Sequence, residues 1–226
     1  MIKPQNKKIF TEYIPIAVTG IALITCAIIF KQKIIKLLPT LITLLVMLLN
    51  SRANRLGFLL GGINCIIYAV GYFMESLYGT VISTLFGAVI AFLSFIRWKK
   101  RAYGKATTFT TMKNKVRVLC VLSYLILWAI VAYIMSKTDN NQYYIDSFNM
   151  LLGIVLPILT MFGFLEFIPL QIISLTSTHV MWIIIVATEN VANVTYLIVS
   201  LYNCYMGAKQ ILTWIKLYKI QRAENK

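Results

Sequence analysis

GTVISTLFGAVIAFLSFI-RWKKRAYGKATTFTTMKNKVR-VLCVLSYLILWAIVAYIM, residues 79–135, is the stretch that decides the fold. Two apolar runs, 79–96 and 118–135, flank a segment carrying Arg97, Lys99, Lys100, Arg101, Lys105, Lys113, Lys115 and Arg117. Each run approaches the roughly 20 residues a helix needs to cross a ~30 Å hydrocarbon layer. Such runs must satisfy their own backbone hydrogen bonds in lipid, and a helix does so within the segment. Outward from here, further apolar blocks occupy 14–30, 37–49, 56–74, 148–164, 167–187 and 191–215. The chain therefore reads as an all-α membrane protein with eight transmembrane helices.

The basic residues set the expected orientation. With the N-terminus inside, Lys3, Lys7, Lys8, Arg52, Arg55, the 97–117 cations and Lys209, Lys216, Lys219, Arg222 and Lys226 all fall on the inner side. Of the 22 Lys and Arg, only Lys31, Lys33, Lys36 and Lys137 fall outside. Cytoplasmic loops collect Lys and Arg in this way. The expectation is a multi-pass protein of the cell inner (plasma) membrane with both termini cytoplasmic.

Composition narrows the class further. The chain is 59% hydrophobic with a mean hydropathy of +0.78, and its apolar segments recur from end to end. Residues 1–226 are thus one polytopic domain, without the short alternation of membrane β-strands. The net charge of +15 is spread over short loops and a tail with no nucleic-acid motif, so topology and anionic lipid account for it. Cys26, Cys65, Cys120 and Cys204 lie within spans without C-x-x-C pairing, and His179 stands alone. No metal or cofactor is expected. Lys3, Lys7 and Lys8 before an apolar run resemble a signal peptide, but the run ends in Phe30-Lys31 without a small-residue cleavage pattern, which predicts a retained first span.

Fusing 14–49 into one helix would place Lys31, Lys33 and Lys36 at bilayer depth, where each is costly. The second span instead begins beside Pro39, a residue suited to a first helical turn. Setting aside the N-terminal span 14–30, the remainder reads as a three-helix repeat (37–96), a basic loop with a linking span (97–135) and a second three-helix repeat (146–215). An odd linker gives both triplets the same orientation, the parallel 3+1+3 arrangement of some transporters.

Function in such a protein resides in polar groups inside the spans. The candidates for substrate binding are Asn64, Tyr68, Thr84, Gln171, Ser174, Trp182, Asn193, Tyr196 and Asn203. Ser83, Asn149, Thr176, Ser177, Thr178, His179, Thr195, Ser200 and Tyr202 accompany them, although Ser and Thr also bond neighbouring helices together. The amides carry the most weight, because each needs several partners. Glu75, Asp139, Asp146, Glu166 and Glu189 map to span ends or loops, so a proton-relay pump is disfavoured. There is no phosphate-binding loop for an ATP-driven engine and no paired acid or Ser/His couple for an enzyme. A non-transporting membrane partner that presents the basic loop is the alternative from another class.

Asn54–Asn64 (NRLGFLLGGIN), followed by Leu77-Tyr78 and Arg97-Trp98-Lys99, resembles the first repeat of the PnuC-type nicotinamide riboside transporters. Asp146-Ser147 opening a span, Ile158-Leu159 and Glu166 are similar to the second repeat of that family. The resemblance covers roughly residues 35–215. It implies a SWEET-like core, a homotrimer, and facilitated diffusion of a vitamin or nucleoside-like solute, nicotinamide riboside first, trapped by a cytoplasmic kinase. Where the family has W-x-x-W after the glutamate matched by Glu166, this chain has Ile168 and Gln171. Thiamine, riboflavin and deoxynucleosides stay open as solutes, with aromatic contact left to Tyr68, Trp98, Trp182 or Tyr196.

Overall fold

The computed structural model describes residues 4–32, 34–74, 78–103, 106–137, 143–188 and 193–224. Lys3, Lys33, Glu75, Leu77, Lys105, Asp139, Glu189 and Lys226 lie outside the described residues, as do the side chains of Lys7, Lys8, Lys36, Tyr78, Ser83 and Asp146. Eight helices are described: α1 (Pro4–Ile29), α2 (Ile34–Ser51), α3 (Leu56–Met74), α4 (Tyr78–Lys100), α5 (Asn114–Met135), α6 (Tyr143–Phe162), α7 (Phe167–Thr188) and α8 (Val194–Glu224). Between α4 and α5 a small antiparallel hairpin pairs β1 (Ala102–Tyr103) with β2 (Ala106–Thr107).

By length and composition α5, α6 and α7 can each cross a membrane, and shorter apolar stretches run over Tyr13–Ile29, Leu37–Ser51 and Leu56–Val70. Side chains such as Ile28, Ile34, Leu119, Ile126 and Leu212 point outward. In α5 the one buried residue is Ala132. An apolar exterior of this extent suits acyl chains rather than water. The chain breaks after Phe30, with Lys31 in the left-handed region (φ 49°), so α1 and α2 are separate helices.

Several helices overrun their apolar blocks. α1 starts at Pro4, α6 at Tyr143, and α8 continues to Glu224, well past residue 215. Hydropathy marks where lipid begins, whereas Lys, Arg, Gln and Glu sustain a helix beyond it. α2 begins at Ile34, so Pro39 sits inside the helix rather than in its first turn.

Contacts run α2–α3–α4, then α4–α6, α6–α7, α7–α8 and α8–α2, which closes a ring of six helices. α1 packs outside against α2 and α8, and α5 outside against α6. At one end of the ring an apolar cluster that includes Ala53, Trp98, Phe109, Leu159, Phe167 and Trp214 packs together. The indole Nε1–H of Trp98 donates to the Thr160 carbonyl at 2.9 Å. At this same end Arg52 reaches the Tyr13 hydroxyl (3.3 Å), and Thr110 forms a parallel bridge with Phe164. Gly163 makes that bridge possible: its φ is +72°, and a Cβ there would lie 2.8 Å from the Thr108 carbonyl oxygen. The opposite end is marked by Gln32 Nε2 donating to Thr195 Oγ1 at 3.2 Å. The α2–α3 turn, the α4–α5 segment, the α6–α7 turn and the distal part of α8 thus share one end, the cation-rich one.

Candidate functional site

Inside the ring lies a cavity of about 510 Å³ to which every ring helix contributes. α2 supplies Thr43, Val46, Met47 and Asn50; α3 supplies Gly57, Phe58, Gly61, Asn64, Cys65 and Tyr68. From α4 come Thr84, Gly87, Ala91 and Ser94, and from α6 Asn149, Met150, Gly153, Leu156, Pro157 and Thr160. Phe167 and Gln171 of α7 and Gln210 of α8 complete the wall. Small residues keep helix backbones near the space: Gly57 leaves room for the Asn50 side chain, which an added Cβ would strike. Among the described lining residues there is no Lys, Arg, Asp, Glu or His.

The polar groups are organised by a clip between α2 and α3. Asn64 Nδ2 donates to the Pro39 carbonyl (3.1 Å) and to Thr43 Oγ1 (3.0 Å). Thr43 Oγ1 also donates to the Pro39 carbonyl (2.8 Å) and lies 3.3 Å from the Tyr68 hydroxyl. The Asn64 Oδ1 atom is buried without a partner, as is Asn50 Oδ1. Across the cavity Asn149 Oδ1 accepts from Ser177 Oγ at 2.7 Å. Leaving a buried carbonyl oxygen unmatched costs about 1–3 kcal/mol, so a donor brought to either oxygen would recover that cost.

Of the expected residues, Asn64, Tyr68, Thr84 and Gln171 meet in this cavity. The others do not line it. Trp182 and Tyr196 stack on each other, with ring centroids 4.7 Å apart and 14° between planes. Ser174, Asn193 and Asn203 are half-buried, and Asn203 Oδ1 has no partner. Nearby, His179 Nδ1 meets Ser200 Oγ at 2.8 Å between α7 and α8. Trp98 faces the end cluster, and Ile168 packs on the same cluster while Gln171 faces the cavity. Thr43, Asn50, Thr160 and Gln210 are lining residues that sequence reasoning passed over. For Gln210 a signal existed, since it lies seven residues, about two helical turns, past Asn203.

Charge is held outside the cavity. Arg117 pairs with Glu166 Oε1 at 2.7 Å, and the same oxygen accepts from the Met112 backbone N–H at 3.0 Å. Arg97 lies over the Phe162 ring, 4.1 Å from its centroid. Among the described residues no group of three or more His, Cys, Asp or Glu is arranged to hold a metal ion.

A sequence profile for the family described as nicotinamide mononucleotide transporter matches residues 33–216. The chain belongs to that family. It is therefore a multi-pass membrane transporter and not an enzyme. Among solved structures the chain is similar to the "Crystal structure of the Vitamin B3 transporter PnuC", with a TM-score of 0.75, 14% identity and 92% of each chain covered. At that identity the likeness speaks for the fold. Comparison with curated proteins gives no significant match. The family match begins just before α2 and ends within α8, so it takes in all six ring helices up to Lys216.

Proposed function

We propose that this transporter carries a vitamin B3-type solute, nicotinamide riboside before the mononucleotide, by facilitated diffusion through the ring. The observation that carries this reading is the uncharged wall of the cavity. Burying a phosphate without a cation is prohibitively costly, whereas the riboside has a single delocalised positive charge. Phe58, Tyr68 and Phe167 put aromatic rings in the wall that would meet that cation, and the amides of Asn50, Asn64, Asn149, Gln171 and Gln210 match its carboxamide and hydroxyls. The volume lies in the range of small-molecule sites, roughly 300–1,000 Å³.

In this reading α2–α4 and α6–α8 are the two parallel triplets of a SWEET-like 3+1+3 core, α5 links them and α1 is the extra N-terminal span. Rocking of one triplet against the other alternates access, with Ser174, Trp182, Asn193, Tyr196 and Asn203 on the outward approach. The protein assembles as a homotrimer in the cell inner membrane, with its cation-rich end and both termini in the cytoplasm. A cytoplasmic kinase then phosphorylates the solute and prevents its return.

Gln171 in the cavity, where the family has a tryptophan, favours a second reading: a thiamine, riboflavin or deoxynucleoside carrier built the same way. A thermal-shift screen of the purified protein separates the two. Nicotinamide riboside should raise the melting temperature while the mononucleotide does not. Stabilisation by thiamine, riboflavin or a deoxynucleoside instead would replace the solute.

A further inference from the structure

A second cleft, of about 390 Å³, lies at the cation-rich end between the segment after α4 and the last turns of α8. Arg101, Tyr103, Thr108, Tyr218, Arg222 and Glu224 are among its lining residues. It is a built feature. Buried Gln221 holds the two sides together, accepting from the Phe109 backbone N–H at 2.8 Å and donating to the Thr107 carbonyl at 2.9 Å. Tyr103 donates its hydroxyl to Glu224 Oε2 at 2.7 Å. That hydrogen bond pushes the Tyr103 phenol above its ordinary pKa.

Charge in the cleft is left over. Among the described residues the guanidinium groups of Arg101 and Arg222 have no hydrogen-bond or ion-pair partner. Among the described lining residues Glu224 is the one acidic group and is already engaged by Tyr103, which leaves Arg101 and Arg222 one positive charge in excess there. Gln221, Arg222 and Glu224 lie beyond residue 216, where the family match ends. The 31 residues of α8, at ~1.5 Å each, span roughly 46 Å, more than the ~30 Å hydrocarbon layer. A helix of that length can carry its final turns past the hydrocarbon to the lipid headgroups.

We infer that this cleft binds a phosphate-bearing anion through Arg101 and Arg222, with the phosphodiester of an anionic lipid headgroup as its source. Guanidinium groups match phosphate oxygens in a forked geometry, and one excess positive charge balances one phosphodiester. A soluble phosphate ester presents the same chemistry and is the other source.

The test uses the full-length protein purified in detergent, with retained lipid read by native mass spectrometry and stability by thermal shift. Phosphatidylglycerol, phosphatidylcholine and inorganic phosphate are the probes. Phosphatidylglycerol should be retained and stabilising, phosphatidylcholine should not, and R101Q/R222Q should weaken retention about tenfold or more, whereas R101K/R222K restores part of it. Arginine-dependent stabilisation by phosphate without phosphatidylglycerol retention would keep the anion site and assign it to a soluble ester. Equal retention by wild type and R101Q/R222Q, with no phosphate effect, overturns the inference. The single variants R101Q and R222Q, each on an exposed side chain, carry the same comparison if the double variant fails to purify. Solute flux does not enter this readout.

Discussion

Asn64 of α3 donates its side-chain amide to the carbonyl of Pro39 in α2, 3.1 Å away, while its own carbonyl oxygen is left buried and unmatched at the cavity wall. One side chain thus fixes two helices and presents an acceptor to the interior. Asn64→Leu keeps the volume and removes both roles. Losing one well-placed hydrogen bond of about 1–1.5 kcal/mol corresponds to roughly tenfold in affinity. Uptake of the solute should show a KM about tenfold higher, with protein still recovered from the membrane. Thr43→Val, which leaves the Asn64–Pro39 bond in place, should raise KM less.

Cys65 lines the cavity, whereas Cys120 on α5 is exposed on the outer surface of the bundle. A charged methanethiosulfonate reagent does not partition into lipid, so it should modify Cys65 in preference to Cys120. Transported solute should slow that reaction. Peptide mass spectrometry after timed labelling reads both sites. Equal labelling rates with and without saturating solute would place the solute elsewhere.

Trp98 is fully buried, donates to the Thr160 carbonyl and packs edge-on against Phe58 with centroids 4.6 Å apart. Thr160 and Phe58 both line the cavity, so Trp98 supports the wall from behind. Trp98→Phe should lower stability by about 1 kcal/mol and leave KM nearly unchanged. Trp98→Ala should cost about 3–5 kcal/mol and lower the yield of folded protein, as followed by fluorescence-detected size exclusion across a temperature series.

Much of the fold was legible because lipid imposes long apolar runs and loops of one charge. The break between α1 and α2 followed from Lys31, Lys33 and Lys36, which cannot sit comfortably at bilayer depth. The hairpin between α4 and α5 was not legible, since strands of two residues carry no periodicity. Nor was the length of α8: Lys216, Lys219 and Arg222 end the apolar signal but not the helix. At the site, Asn64, Tyr68, Thr84 and Gln171 were marked as polar groups within spans. Thr43 escaped because one threonine in an apolar run reads equally as helix packing, and Asn50 because it sits just past its block. Which face of α7 and α8 turns inward depends on the ring's closure, so Trp182 and Tyr196 stack together away from the cavity.

Glu166 ties the α6–α7 turn to α5 through Arg117 and to the α4–α5 segment through Met112. Arg117 is 44% exposed, so water screens the pair and its net contribution is about 0–1 kcal/mol. Glu166→Gln retains an acceptor for the Met112 N–H and should change the melting temperature little. Glu166→Leu leaves that N–H unmatched and should cost about 1–3 kcal/mol by the same measurement.

The most direct test of the uncharged passage is flux of labelled solute into liposomes containing only the purified protein. Nicotinamide riboside should enter saturably, down its gradient, without ATP or an imposed proton gradient, and should equilibrate rather than accumulate, while the mononucleotide stays outside. Entry of the mononucleotide at a comparable rate, or riboside accumulation only when a proton gradient is applied, would contradict it.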